Sequence, residues 1–142
     1  MIRPRSAHLL RRGVAVSGAA AVAAAILLPG VAADASSSVS VKLTDFKVIP
    51  SAKSVGHGKV KFIVANKASM EHELVVIKTS EKAAKLPVSN GEASEKGSVG
   101  EVELAGHKTK SLTLNLKKGH YALICNVKGH YMGGMHADLT VR

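Results

Sequence analysis

Residues 125–135 constrain this chain more than any others: Cys125-Asn126-Val127-Lys128-Gly129-His130-Tyr131-Met132-Gly133-Gly134-Met135. They space a thiol, an imidazole and a thioether as Cys-x4-His-x4-Met. These donors are soft or borderline, and as a set they favour copper over hard cations. Gly129, Gly133 and Gly134 allow a tight loop that brings its ends together. A fold that uses this loop must set residues 125 and 135 side by side and supply a further donor from elsewhere.

The rest of the chain reads as short strands separated by turns. Val39 to Thr44 alternates apolar and polar residues with period two, as does Ser111 to Leu116. Phe46 to Ile49, Lys59 to Ala65, His72 to Thr79, Glu101 to Leu104, His120 to Cys125 and Met135 to Val141 are the other strand candidates. Leu74 to Ile77 are apolar without a break, so this strand is expected to be covered on both faces. Little helix is apparent. The expected class is all-β, a β-sandwich of about seven or eight strands. Residues 80–100 are rich in Gly, Ser, Glu and Lys and read as a long exposed insertion or loop, with one or two helical turns at its start.

Strand phase aims the loop ends. Tyr121, Leu123 and Cys125 share one face, and so do Met135, Ala137, Leu139 and Val141. Cys125 and Met135 are therefore expected to point inward at one end of the sandwich.

Residues 1–33 have the form of an export signal. Arg3, Arg5, Arg11 and Arg12 precede an apolar, alanine-rich run from Val14 to Leu28, then Pro29-Gly30 and small residues before Asp34. Cleavage after Ala33 or Ala35 fits, and Arg11-Arg12 also permits a twin-arginine reading. The domain proper is then 34–142, with a periplasmic or otherwise extracytoplasmic location and no second apolar run to span a membrane. The formal net charge of the whole chain is +10. Removing 1–33 takes away four arginines and no acid, leaving scattered lysines. No basic stripe with stacking rings is present, which argues against nucleic acid as a partner. Cys125 is the single cysteine, so no disulfide forms within the chain, and a metal ligand is the leading use for a lone thiol in an exported protein.

Two histidines, a cysteine and a weak axial methionine make the blue-copper arrangement. For the second histidine the candidates are His57, His72, His107, His120 and His136. His72 is best placed, at the start of a strand directly after a loop. His57 and His107 sit in glycine turns and read as solvated. His120 lies about 17 Å from Cys125 along one strand, too far to share a metal. His136 has the opposite phase to Met135. Met132 competes with Met135 for the axial position, and Met70 is a remote third; strand phase favours Met135.

On these residues the chain resembles the cupredoxins, the small blue-copper proteins of the plastocyanin and azurin group. The matching pieces are Met70 to Ile77, Lys118 to Tyr121, Tyr121 to Cys125 with Gly129-His130 and Gly134-Met135, and Asp138 to Val141. Both gaps of four residues are similar to those of sulfocyanin-like and bacterial periplasmic members. The resemblance implies a Greek-key sandwich binding one type 1 copper ion through His72, Cys125, His130 and Met135. It implies a monomeric electron carrier, not an enzyme, that exchanges single electrons with a redox protein such as a cytochrome or terminal oxidase. The family often has a small polar residue after the first histidine, whose backbone amide bonds to the cysteine sulfur. Glu73 stands there, so a difference is expected in that contact. Tyr131, Met132, Gly133 and Gly134 are expected to form a weakly polar patch over His130 where electrons pass.

Three other classes compete. A copper protein for storage, delivery or resistance would use the same site. An enzyme with Cys125 as nucleophile and His130 as base lacks an orienting acid, and the histidines needed for additional copper centres are absent. A metal-free, immunoglobulin-like adhesion module leaves the Cys-His-Met spacing unexplained.

Overall fold

The computed structural model describes residues 37–142, so the expected export signal lies outside the described residues. Its strands are β1 (Ser37–Thr44), β2 (Lys47–Pro50), β3 (Ser54–Val55), β4 (Gly58–Asn66), β5 (His72–Lys78), β6 (Val88–Ser89), β7 (Glu92–Ala93), β8 (Ser98–Leu104), β9 (Thr109–Leu116), β10 (Gly119–Ile124) and β11 (His136–Val141). A single 3-10 turn, Ala83–Lys85, is the only helical element among the described residues. One sheet has the order β2-β1-β4-β9 and the other β3-β11-β10-β5-β8, with β6 and β7 as a separate hairpin. The chain is therefore an all-β sandwich. It carries eleven strands where seven or eight were expected, and β3, β6 and β7, each of two residues, are the additions. Strands this short leave no periodicity to read.

Alternation builds the core. Val39, Val41 and Leu43 of β1 and Val60, Phe62 and Val64 of β4 face inward, against Leu74, Val76, Tyr121, Leu123, Leu139 and Val141 from the other sheet. Burying each large aliphatic or aromatic side chain contributes about 1.5–3 kcal/mol. Cys125 and Met135 belong to the same cluster and are fully buried, as strand phase predicts. The antiparallel pairing of β10 with β11 and with β5 sets the end of β10 beside both the start of β11 and the body of β5.

Residues 80–100 are mostly exposed, but not wholly. Ala83, Leu86 and Ala93 are buried against Val75, Ile77, Ala122, Ile124 and Tyr131 on the outer face of the five-stranded sheet. The segment is thus exposed along most of its length, with three side chains turned inward as a cover, and β8 already begins at Ser98. Its three buried residues are too few and too widely spaced for their sequence to betray an apolar face. The unbroken apolar run of β5 now has its explanation. Leu74 and Val76 face the main core, and Val75 and Ile77 face this cover.

Candidate metal centre

β5 delivers the first donor. Asn66, at the end of β4, is 1 % exposed, and its side-chain amide donates to the carbonyls of Met70 (2.8 Å), Leu104 (3.1 Å) and Ala105 (3.2 Å). Its Oδ1 accepts from the amide of Ala68 at 3.0 Å. These bonds shape the 67–71 loop that delivers the chain to His72. Gly106 makes this packing possible, because a Cβ there would overlap the backbone of Ser69. His72 is then held between β8 and the site, paired with Leu104, and is wholly buried.

β10 delivers the second donor and the loop after it the third. Cys125 Sγ lies 3.7 Å from His72 Nδ1 and 3.6 Å from His130 Nδ1, and the two Nδ1 atoms are 3.2 Å apart. A point equidistant from the three atoms lies about 2 Å from each, the length of an ordinary metal–imidazole bond. Three donors on a triangle of this size fit one trigonal ion. Among the described residues this is the one group of His, Cys, Asp and Glu side chains close enough to hold a metal. Met135 completes the set. It is buried beside Cys125, its carbonyl accepting from the Cys125 amide (3.0 Å) and its amide donating to the His130 carbonyl (3.2 Å). Met132 and Met70 are 61 % and 49 % exposed, so Met135 is the methionine turned inward. His72, Cys125, His130 and Met135 stand near one another and fit one type 1 copper site.

The electrostatics fit a metal too. Burial pushes the Cys125 thiol above its ordinary pKa, and the nearby Glu73 carboxylate adds to this, while the backbone amides of Glu73 and Val127 work against it. A cation here therefore displaces a proton from sulfur. Burial also lowers the pKa of His72, as does His130, with Asp45 opposing both. Both effects favour the neutral imidazole a metal requires. His72 Nε2 is buried without a hydrogen-bond partner, 4.0 Å from an Asp45 carboxylate oxygen. A ring that bonds a metal through Nδ1 keeps its proton on Nε2, facing that carboxylate.

Two expectations about the surroundings change. The Glu73 amide does donate to Cys125 Sγ, at 3.4 Å. A backbone donor is set by strand register and is indifferent to the side chain it carries. The Glu73 side chain adds a second tie, accepting from the Asn126 amide at 3.0 Å. Tyr131 is not part of a surface patch. It is 5 % exposed and points under the 83–95 segment, where its hydroxyl donates to the Ala83 carbonyl (2.7 Å) and accepts from the Leu86 amide (2.9 Å). Its place at the surface is taken by Phe46, from the β1–β2 turn, whose ring meets His130 edge-on with centroids 6.4 Å apart. Phe46 sits at φ 61 and is 55 % exposed, and a Cβ on Gly133 would overlap its ring. Sequence reasoning missed Phe46 and Asn66. For Asn66 a signal existed, since an asparagine at a strand end often ties down the following loop.

Other candidate histidines among the described residues have partners of their own. His57 bonds the Arg142 carbonyl through Nδ1 at 2.7 Å. His120 is engaged at both nitrogens, with the Thr79 carbonyl (2.9 Å) and Asp138 (2.8 Å). His136 packs against the Tyr131 ring.

Comparison with known proteins agrees with this centre. Residues 35–142 match the family of copper-binding proteins of the plastocyanin/azurin type, and the chain belongs to that family. Among solved structures it is similar to dithionite-reduced auracyanin from the photosynthetic bacterium Roseiflexus castenholzii, at 20 % identity and a TM-score of 0.54 over 75 % of this chain and 98 % of that one. It is also similar to auracyanin A, a "blue" copper protein from Chloroflexus aurantiacus (19 %, 0.51, 74 % and 99 %). A third likeness is to rusticyanin from Thiobacillus ferrooxidans (16 %, 0.54, 74 % and 77 %). At these identities the likeness is one of fold. No curated protein sequence matches the chain.

Proposed function

We propose that this protein is an exported electron carrier in which His72, Cys125, His130 and Met135 hold one type 1 copper ion. The observation that carries the reading is the triangle of two imidazole nitrogens and one sulfur, with sides of 3.2, 3.6 and 3.7 Å, of which the His72 and Cys125 corners are fully buried. Copper would supply the cycling between Cu(I) and Cu(II), taking one electron from a donor protein and passing it to an acceptor. The chain's own part is to hold the donors in one arrangement for both states. His72 is fixed by the sheet, the Cys125 sulfur by the Glu73 amide, and Met135 by the core. Fixed ligands leave little to rearrange when the charge changes.

His130 is the half-exposed donor, and Phe46 and Met132 are exposed large apolar side chains, Phe46 in contact range of its ring and Met132 two residues on. We assign electron entry and exit to this edge, with a cytochrome or oxidase as partner. Residues 1–33 are assigned to export and 34–142 to a monomeric carrier domain that does not itself catalyse a reaction. The deep placement of Cys125 and His72 favours a carrier over a protein that hands its metal on, because release requires at least one donor to swing out.

Adding Cu(II) to the full chain and recording the visible spectrum tests the centre. We expect an intense thiolate-to-copper band in the wild type and its complete loss in Cys125→Ser. A wild type that stays colourless refutes the site.

A further inference from the structure

The loop that carries His130 cannot hold itself against the sandwich. Gly129 and Gly134 lie at φ 86 and 112, and glycine has the most backbone freedom to lose. The bonds within the loop run from His130 to Val127 (2.8 Å), Gly133 to Gly129 (3.0 Å), Gly134 to Tyr131 (3.0 Å) and Met135 to His130 (3.2 Å). They define its turns without anchoring them.

Besides the Glu73 tie to the Asn126 backbone amide and the Phe46 contact, the anchoring comes from residues 83–95, at three places that bracket His130. Before it, Asn126 accepts from the Ala93 amide (2.7 Å) and donates to the Ala93 carbonyl (3.0 Å) and the Glu95 carboxylate (2.7 Å). Next, the Gly129 amide donates to the Gly91 carbonyl (2.8 Å). Directly after His130, the Tyr131 hydroxyl engages the Ala83 carbonyl and the Leu86 amide. The segment is itself fixed to β11, because the Ala83 amide donates to Asp138 at 2.8 Å. Covering Val75, Ile77, Ala122 and Ile124 needs only the apolar Ala83, Leu86 and Ala93. A cover must also pair the polar groups it buries, and here most of those pairs are made with the ligand loop. Apart from the Ala83 bond to Asp138, they are directed at the ligand loop.

We propose that the 83–95 segment is a strap that fixes His130 relative to Cys125, with Asn126 and Tyr131 as positioning residues, and so sets how fast the site gives up its metal. The inference rests on the copper reading above. His72 lies in β5 and Cys125 directly follows β10 with its amide bonded to the Met135 carbonyl, so the easiest way to open the site is to move the loop, and the strap resists that movement.

Tyr131→Phe is the informative variant. It keeps the ring in its apolar pocket and removes both hydroxyl bonds. In the copper-loaded full chain, Cu(II) transfer to excess EDTA should accelerate about tenfold, the factor that accompanies the loss of about one good buried hydrogen bond. The thiolate-to-copper band should shift as well, a change that a pure cover would not produce. Asn126→Ser should act in the same direction through the other anchor. Release at the wild-type rate in both variants, with only the thermal midpoint of the metal-free protein lowered, overturns the strap. If the wild type takes up no copper, it is the centre that has failed, and amide exchange of the metal-free protein then decides the strap. The Gly129 and His130 amides should lose protection in Tyr131→Phe while those of β10 keep theirs, and unchanged protection at Gly129 refutes it.

Discussion

His72 and His130 face each other across 3.2 Å, yet opposite means hold them in place. His72 begins a central strand, is fully buried, and inherits its position from the β5–β8 ladder and the Asn66 tie. His130 lies in a glycine loop, half-exposed, and is positioned by Phe46 on one side and the bonds to 83–95 on the other. The first arrangement can fail only with the sheet. The second can be altered residue by residue while the sandwich stands. One donor therefore belongs to the stability of the fold, and the other is open to local tuning.

The strongest way to break this contrast is Asn66→Ala. It strips partners from the Leu104 carbonyl and the Ala68 amide, both buried groups, and we expect a loss of about 3 kcal/mol in denaturant unfolding of the metal-free protein. A variant that keeps wild-type stability yet binds copper poorly would show that the strand side, too, is tunable. On the loop side, Met132→Glu puts a charge at the His130 edge without touching the core. Stability should change by less than about 0.5 kcal/mol, while electron exchange with an apolar-faced partner slows several-fold. Unchanged stopped-flow rates would move electron exit away from this edge.

The smallest effect concerns the far attachment of the 83–95 segment. Partial burial works to raise the Asp138 pKa, but the Ala83 amide, the hydrogen bond and charge of His120 and the charge of Lys82 outweigh it, and the carboxyl is held below its usual value. A lowered carboxyl pKa stabilises the fold above the unfolded value of about 3.9, and that contribution disappears as the pH falls through the folded value. Asp138→Asn keeps an acceptor for Ala83 and loses the charge. With the carboxylate half in solvent, the thermal midpoint at pH 7 should fall by only about 2 °C, and the gap should narrow once the pH falls below the unfolded carboxyl value. A gap that does not narrow in acid would mean that shape, not charge, secures the segment.

The inward aim of Cys125 and Met135 was legible because a strand alternates its side chains whatever surrounds it. The unbroken apolar run of β5 likewise announced two covered faces. What the sequence hid depends on contacts between distant residues. The Glu73 amide reaches Cys125 through register, and no property of a glutamate side chain announces that. Tyr131 has glycines and methionines for neighbours and reads as surface, yet its hydroxyl finds partners 45 and 48 residues away. Ala83, Leu86 and Ala93 are buried in a stretch whose average composition is polar.

The burial of Cys125 has a consequence for the protein before any metal arrives. A thiol that is fully enclosed and held in its protonated form is a poor nucleophile and a poor target for peroxide. With no other cysteine in the chain, the remaining oxidative hazard is joining to a second molecule, and the enclosing side chains keep that partner's sulfur out of reach. The folded apoprotein can therefore remain in oxidising surroundings with its one thiol intact.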